Sequence, residues 1–365
     1  MQRPRTILGG LRIVELSAFV AAPLGGLTLA QLGADVIRVD PPGGNIDYDR
    51  LPVDHRGHSL YWACLNRGKR SVEIDVRSAA GARLLRDLIT APGDGGGFFV
   101  TNLPVDETLD HEALAVRRPD VVTVRLTGSP DGTSAVDYTV NSAVGFPAIT
   151  GDGHAGPVNH VLPAWDAVAG LTIATAVLAA ERHRRLTGAG QSVRLALSDV
   201  AMAMAGNLAC LADVEVNGTE RRPDGNQLYG AYGDSFRTAD GRHAMVVAIT
   251  DRQWRALAAA TGGGPALEGA ARAAGYDLGS AAGRYAAREL ISAFLRPWFA
   301  RRELAAVATA LTQGGVLWGP YRSFRQMLAE DPRCSEANPM FERVLHPGIG
   351  SLLTAKTPLD FSAVP

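Results

Sequence analysis

The chain has 365 residues, 46% of them hydrophobic and 20% charged, with a formal net charge of −1. That length suits roughly two domains with sizeable cores, and the balanced charge removes any electrostatic case for nucleic acid or an anionic membrane as partner. Three cysteines, Cys64, Cys210 and Cys334, are far apart and odd in number. They argue against a disulfide framework or a zinc site and for a reducing, cytoplasmic setting. The N-terminal MQRPRTILGG has no apolar segment and no small-residue cleavage site, so it does not read as a signal peptide. No window holds the ~18 uninterrupted apolar residues of a membrane span.

In chain order, residues 11–16 (LRIVEL) form a short apolar run suited to a buried parallel strand. A loop over 17–22 leads into a helix opened by Pro23 and ended near Gly33. Residues 36–39 (VIRV) are a second strand, stopped by DPPGG at 40–44. Further strands are expected at 71–75, 97–100 and 121–126, with a helix at 80–89. This alternation predicts an α/β fold, an open and mostly parallel Rossmann-like sheet covered on both faces. Residues 163–191 then carry a long helix of Ala, Val, Leu and Ile, with Asp166 at its mouth and a basic last turn before Gly188 and Gly190. From Asp166 to Ala180 it has no other charge, which predicts a helix buried all round. A strand at 192–197 and an Ala/Met-rich helix at 198–211 follow.

Composition shifts near residue 215. A Gly/Asn/Arg-rich loop at 217–234 precedes a strand at 243–249 and amphipathic helices at 252–261, 286–299 and 302–311, with flexible breaks at 262–264 and 275–283. This predicts a smaller α+β domain over 215–325, against a large domain of 1–214 and 326–365. The Pro-rich tail from Asp331 has few helix signals and is expected to pack back on the first domain.

A βαβ start with Asp40 at the end of its second strand raises a dinucleotide site. That site needs G-x-G-x-x-G between strand and helix, whereas the loop here reads SAFVAAPLGG and its glycines come too late. Asp40 therefore reads as a strand-end turn residue. There is no G-x-S-x-G elbow and no zinc-type histidine spacing; His55 and His58 come nearest, without further ligands. His183 sits in the basic last turn of the long helix, where a cation suits the helix dipole. The run NRGKRS at 66–71 reads first as a solvated turn and second as a phosphate-holding cluster. The stretch 225–233 (GNQLYGAYG) is either a flexible lid or a plain loop. Asp166 has an ordinary explanation as an N-cap, Asp being among the best caps, and a second one as a reactive carboxylate.

Together the segments GLRIVELSAFVAAPLGGLTLAQLGADVIRVDPP, LNRGKRSVEID (65–75), TNLP (101–104), AWD (164–166), TGAGQSVRLALSDVA (187–201) and YGAYGDSFRTADGR (229–242) resemble the class III CoA-transferase family. That family includes formyl-CoA transferase, carnitine CoA-transferase and the α-methylacyl-CoA racemases. The resemblance covers nearly the whole chain. It implies two domains with both termini in the larger one, and a homodimer of interlocked subunits. It implies that Asp166 is the nucleophile that accepts acyl and then CoA groups, with CoA arriving as part of the substrate and no separate cofactor or metal. CoA contacts carried over from the family fall on Ala18, Phe19, Val20, Lys69, Arg70, Asn102 and Leu103.

Two departures narrow the reaction. Val20 stands where formyl-CoA transferase has glutamine, which weighs against formate or oxalate exchange. The racemases carry a histidine just before an aspartate after the fifth strand, where this chain has Val136-Asp137-Tyr138. Within the family, SAFVAAPLGGLTLAQLGADVIR, VDYTVN, VNHVLPAWD, LAAERHRRLTG, DPRCSEANPMF and PGIGSLL are most similar to an enzyme that moves CoA between the two carboxyls of one C5 diacid. That implies an intramolecular transfer, with an intermolecular dicarboxylate CoA-transferase as the alternative and a racemase or a non-catalytic CoA-binding protein behind it. Candidates for holding the free carboxylate are Arg38, Arg50, Arg322 and His160. A lid that retains the freed diacid is expected at Gly225, Gly230 and Gly233.

Overall fold

The computed structural model describes residues 6–362. Residues 1–5, on which part of the signal-peptide reading rests, and 363–365, the end of the tail, lie outside the described residues. The chain divides into two compact units, one of residues 6–145, 159–219 and 332–362, the other of 146–158 and 220–331.

The first unit runs β1 (Arg12–Leu16), α1 (Ala21–Gln31), β2 (Asp35–Asp40), α2 (Leu60–Asn66), β3 (Arg70–Glu73), α3 (Ala79–Ile89), β4 (Phe98–Thr101), α4 (His111–Arg117), β5 (Val122–Thr127), α5 (Asp137–Ser142), α6 (Ala164–Thr187), β6 (Gln191–Ala196), α7 (Leu197–Asn207) and α8 (Cys210–Asn217). Its six strands form one parallel sheet in the order β3-β2-β1-β4-β5-β6. This is the doubly wound order in which ligands gather beyond the carboxyl ends of the strands, where the order reverses between β1 and β4. The central strands are apolar because both faces are covered. Buried charges interrupt them, Glu15 in β1 and Arg38 and Asp40 in β2, and the register sets Glu15 and Arg38 side by side.

Helices α1 and α6 pack backbone against backbone. A Cβ on Gly25 would lie 2.8 Å from Ile173 Cγ2, and one on Gly170 would lie 2.7 Å from the Ala21 carbonyl. A Cβ on Gly26 would meet Glu15 Oε2 at 1.6 Å. The glycines that come too late for a phosphate loop are therefore packing glycines, required by close approach.

Helix α6 differs from the expectation of burial all round. Ile173, Val177 and Ala180 are in the core, but Leu171, Thr175 and Ala179, one turn apart, lie on a face exposed in the single chain. By length and composition α6 could cross a bilayer; here it is a core helix on one side. The single helix expected at 198–211 is two, α7 and α8, bent by 55° where Ala209 takes a left-handed φ of 60°.

The second unit holds β7 (Tyr232–Arg237), β8 (His243–Ala248), α9 (Asp251–Thr261), α10 (Gly264–Ala273), α11 (Ala281–Ala286), α12 (Arg288–Ala300), α13 (Leu304–Gln313), β9 (Leu317–Pro320) and α14 (Phe324–Glu330). The antiparallel sheet β7-β8-β9 and its helices bury a separate core that includes Tyr232, Phe236, Trp254, Ile291 and Phe299. The loop expected through 234 ends where β7 begins. The break at 262–264 leads straight into α10, and 286–299 is spread over α11 and α12. Arg242 pairs with Glu330 at 2.8 Å and Arg322 with Asp331 at 2.6 Å, which keeps α14 with this unit. The tail forms an antiparallel hairpin, β10 (Phe341–His346) and β11 (Gly350–Ala355), and Gln31 Nε2 donates to the Ala355 carbonyl at 3.1 Å.

Candidate active site

A cavity of about 610 Å³ opens in the first unit at the carboxyl end of the sheet. Its lining includes Asp166, Asp137, Arg50, Tyr61, Arg125 and the loop residues Phe19 and Val20. Loop 17–20 is fixed by side chains from elsewhere. Asn102 Oδ1 accepts from the Ala18 N–H at 3.0 Å, and Asn102 Nδ2 donates to the Ala18 carbonyl at 2.8 Å. Asp47 Oδ2 accepts from the Phe19 N–H at 3.0 Å. Phe19 has φ of 66°, a sparsely populated conformation for a bulky residue that persists only where its surroundings over-determine it.

Asp166 stands in the first turn of α6 but does not cap it. Its carboxylate has no hydrogen-bond partner among the described residues, and the N-cap position is Pro163, which has no acceptor side chain. The cap comes from α5: Asp137 Oδ2 accepts from the N–H groups of both Trp165, at 2.8 Å, and Asp166, at 3.0 Å. The capping reading of Asp166 is thus replaced, because another carboxylate already occupies the free donors of the helix. Burial first, and the Asp137 charge second, push the Asp166 carboxyl up to about 6, with Arg50 opposing.

The guanidinium of Arg50 lies 5.3 Å from the Phe19 ring centroid and 5.1 Å from that of Tyr61. It makes no ion pair with any described residue. The Tyr61 hydroxyl is buried without a hydrogen-bond partner. Burial, and after it the charges of Asp166 and Asp47 against Arg50, hold it above the usual phenol range.

The expected site residues divide. Phe19, Val20, Asn102 and Leu103 line the cavity with Asp166, while Ala18, Lys69 and Arg70 do not. Ala18 is fully buried, and both its backbone polar groups are taken by Asn102. Lys69 is engaged within the chain. Its ammonium is buried on Glu15 Oε1 at 2.8 Å and also donates to Asn66 Oδ1 and the Pro23 carbonyl. Burial pushes it down to about 8 against the pull of Glu15. Arg70 is exposed and paired with Asp35 at 2.6 Å, and Arg67 donates to the Cys64 and Ala355 carbonyls. The three cations of 66–71 therefore point to three different partners rather than to one phosphate.

Of the carboxylate-holding candidates, only Arg50 reaches the cavity. Arg38 is 1% exposed and enclosed by Asp40 at 2.9 Å, Asp47 at 3.3 Å, Asn66 and the Ser17 carbonyl. Asp40 is accordingly an ion-pair partner in the core and not a turn residue. Arg322 is paired within the second unit. His160 Nδ1 engages the Leu162 carbonyl, and its ring lies edge-on to Trp165. Gly225, Gly230 and Gly233 lie in the second unit; the first two have φ of 62° and 76°, whereas Gly233 is part of β7. Among the described residues no three His, Cys, Asp or Glu converge as a metal site. Sequence reasoning missed Asp137 as a working residue. A signal was present in Pro163, which cannot cap the helix it precedes.

The CoA-transferase family III model matches residues 8–365. The chain is 54% identical, over 98% of its length and 88% of the relative's, to 2-methylfumaryl-CoA isomerase of Chloroflexus aurantiacus. It is 27% identical, over 95% of this chain and 88% of the relative's, to succinyl-CoA:mesaconate CoA-transferase of Haloarcula marismortui. A CAIB/BAIF family protein from Brucella suis superposes with a TM-score of 0.80 at 26% identity, over 98% of this chain and 93% of that one. A carboxylate raised at a helix mouth, at the switch point of a doubly wound sheet, thus sits in a chain that belongs to CoA-transferase family III.

Proposed function

We propose that this enzyme converts 2-methylfumaryl-CoA to 3-methylfumaryl-CoA by moving CoA between the two carboxyls of one diacid, with Asp166 as nucleophile. The observation that carries this is the 54% identity to a 2-methylfumaryl-CoA isomerase along 98% of the chain. The uncapped, partly desolvated carboxylate of Asp166 supports the chemistry. The Asp166 carboxylate attacks the C1 thioester carbonyl and expels CoA thiolate, giving a mixed anhydride. The thiolate attacks the aspartyl carbonyl and releases the C1 carboxylate, leaving an aspartyl-CoA thioester. The C4 carboxylate then attacks that thioester, and the returning thiolate takes the C4 acyl group and restores Asp166. No proton is gained or lost overall. Arg50, the candidate guanidinium that reaches the cavity without an ion pair to any described residue, is our assignment for the free carboxylate.

Holding diacid and aspartyl-CoA together replaces a bimolecular encounter by a high effective concentration, worth several kcal/mol. The loop glycines Gly225 and Gly230 are our candidates for the hinge of a retaining lid. Mass spectrometry of products from 2-methylfumaryl-CoA alone tests the reading: isomer forms with no acceptor acid, and labelled free 2-methylfumarate stays out of the thioester pool. Label entering at the rate of isomerisation means an intermolecular CoA-transferase instead.

We further propose an interlocked homodimer working in the cytoplasm. Leu171 on α6, Met202 on α7 and Leu211, Val214 and Val216 on α8 are exposed apolar residues in the single chain, as a large obligate interface requires. Analytical ultracentrifugation at decreasing concentration should show dimer throughout; a reversible monomer–dimer equilibrium would refute interlocking.

A further inference from the structure

We propose that Asp137 is the positioning residue of the Asp166 nucleophile: it caps α6 in Asp166's stead, and it keeps a second negative charge in the cavity that acylation of Asp166 relieves. The inference rests on Asp166 being the nucleophile.

The geometry carries it. Asp137 and Asn141 are one turn apart on α5, so they share a face. Asp137 Oδ2 accepts from two successive backbone N–H groups of α6, and Asn141 Oδ1 accepts from the indole N–H of Trp165 at 3.0 Å. Both clamps are buried, Asp137 at 3% exposure and Asn141 at 0%. They hold the residue before Asp166 by backbone and side chain, and Asp166 by its own N–H. An N-terminal carboxylate usually turns back on its own helix. Here those donors are occupied, so Asp166 has no reason to do so and its oxygens remain open to an acyl carbon.

The second part follows from charge. Asp137 and Asp166 line one cavity, and Asp137 Oδ1 is buried with no hydrogen-bond partner. The other groups acting on Asp166 are Arg50, from the segment between β2 and α2, and Tyr61, on α2; Arg125 on β5 and Tyr138 on α5 are the remaining titratable residues of the lining. Helix α1, packed along α6, brings no charged residue. Arg50 is exposed, which weakens its compensation by solvent screening. Ionised Asp166 thus faces a buried like charge. Conversion of its carboxylate to an anhydride or a thioester moves that charge off Asp166, first onto the CoA thiolate and then onto the freed C1 carboxylate, so the repulsion from Asp137 at this position favours the acylated state over the resting one.

Asp137→Asn and Asp137→Ala separate the two roles. Asparagine retains an acceptor oxygen for both N–H groups and removes the charge; alanine removes both. For Asp137→Asn we expect near-native melting, a kcat lower by on the order of tenfold, and an acid limb of kcat/KM moved to lower pH by roughly half a unit or more. For Asp137→Ala we expect a further loss in kcat with KM changed little. A purely structural role would lower melting in both variants and leave the acid limb where it is. A folded Asp137→Asn enzyme with an unmoved acid limb, or an Asp137→Ala enzyme with wild-type kcat, would overturn the proposal. Hydroxylamine trapping on Asp166 in the wild type, done in parallel, tests the nucleophile itself. Absence of the adduct with a moved acid limb would fault that reading and not the coupling of the two carboxylates.

Discussion

Two regions of the first unit concentrate buried charge, and they are built on opposite rules. Below the end of β1, Glu15, Lys69, Arg38, Asp40 and Asp47 lie within reach of one another, each anion against a cation. Asn66 Oδ1 accepts from both cations, and the Ser17 hydroxyl donates to Glu15. In the cavity above, two carboxylates, Asp137 and Asp166, line one space, and among the described residues the cation acting on Asp166 is the exposed Arg50. The first cluster sets every anion against a cation, three carboxylates to two cations, and through Asp47 it braces the loop that carries Phe19. The second is mismatched, and the mismatch holds the Asp166 carboxyl above the usual carboxylate range, which suits the nucleophile proposed for it. Buried matched charge holds shape; buried like charge stores reactivity.

The comparison breaks most sharply at Asp166. Asp166→Ala should lower turnover by on the order of a thousandfold or more, because removal of a nucleophile removes the covalent route. The protein should still fold, since the helix cap is Asp137. A folded Asp166→Ala enzyme with normal product formation from 2-methylfumaryl-CoA would end the mechanism.

The matched cluster should fail differently. Glu15→Ala strands Lys69 in the core, while Arg38 keeps Asp40 and Asp47, and breaking such a buried pair costs about 3–5 kcal/mol. Chemical denaturation should show that loss, while whatever protein folds retains a reactive Asp166. A Glu15→Ala variant as stable as wild type would mean that the cluster is solvated in solution.

Arg50 tests whether the exposed cation belongs to substrate rather than to Asp166. Losing one charge-assisted contact should reduce kcat/KM by roughly tenfold to a hundredfold in Arg50→Ala. A monocarboxylic acyl-CoA, lacking the free carboxylate, should bind equally to both enzymes. If Arg50→Ala weakens both ligands alike, Arg50 does not read the carboxylate.

The smallest effect is a gain. A carboxyl held at about 6 when folded and at 3.8 when unfolded keeps its proton better in the folded state between those values. Its contribution is therefore full below about pH 4 and is lost as pH rises through about 6. Asp166→Asn, which never ionises, should be more stable than wild type at pH 7 by on the order of 1–2 kcal/mol, with the difference gone near pH 4. Equal melting temperatures at pH 7 would place Asp166 in a more solvated setting.

The sequence alone reached the parallel strands, because near-continuous apolar runs between helices have few other uses, and it reached Asp166, because a lone carboxylate opening an apolar helix is conspicuous. Resemblance supplied the chemistry that periodicity could not. The sequence was silent on partners. Lys69 and Arg38 read as free cations because nothing local marks Glu15, Asp40 and Asp47 as their counter-charges; parallel register and chain folding bring them together. The glycines after Pro23 looked like a failed phosphate loop until the close approach of α1 to α6 gave them a use. Helix α6 read as buried all round because composition counts apolar residues, whereas which face stays open depends on where the other elements pack. The division of labour at the helix mouth was decided only in three dimensions: Asp137 lies 29 residues before Asp166 in sequence, and the two meet because α5 returns its first turn to the start of α6.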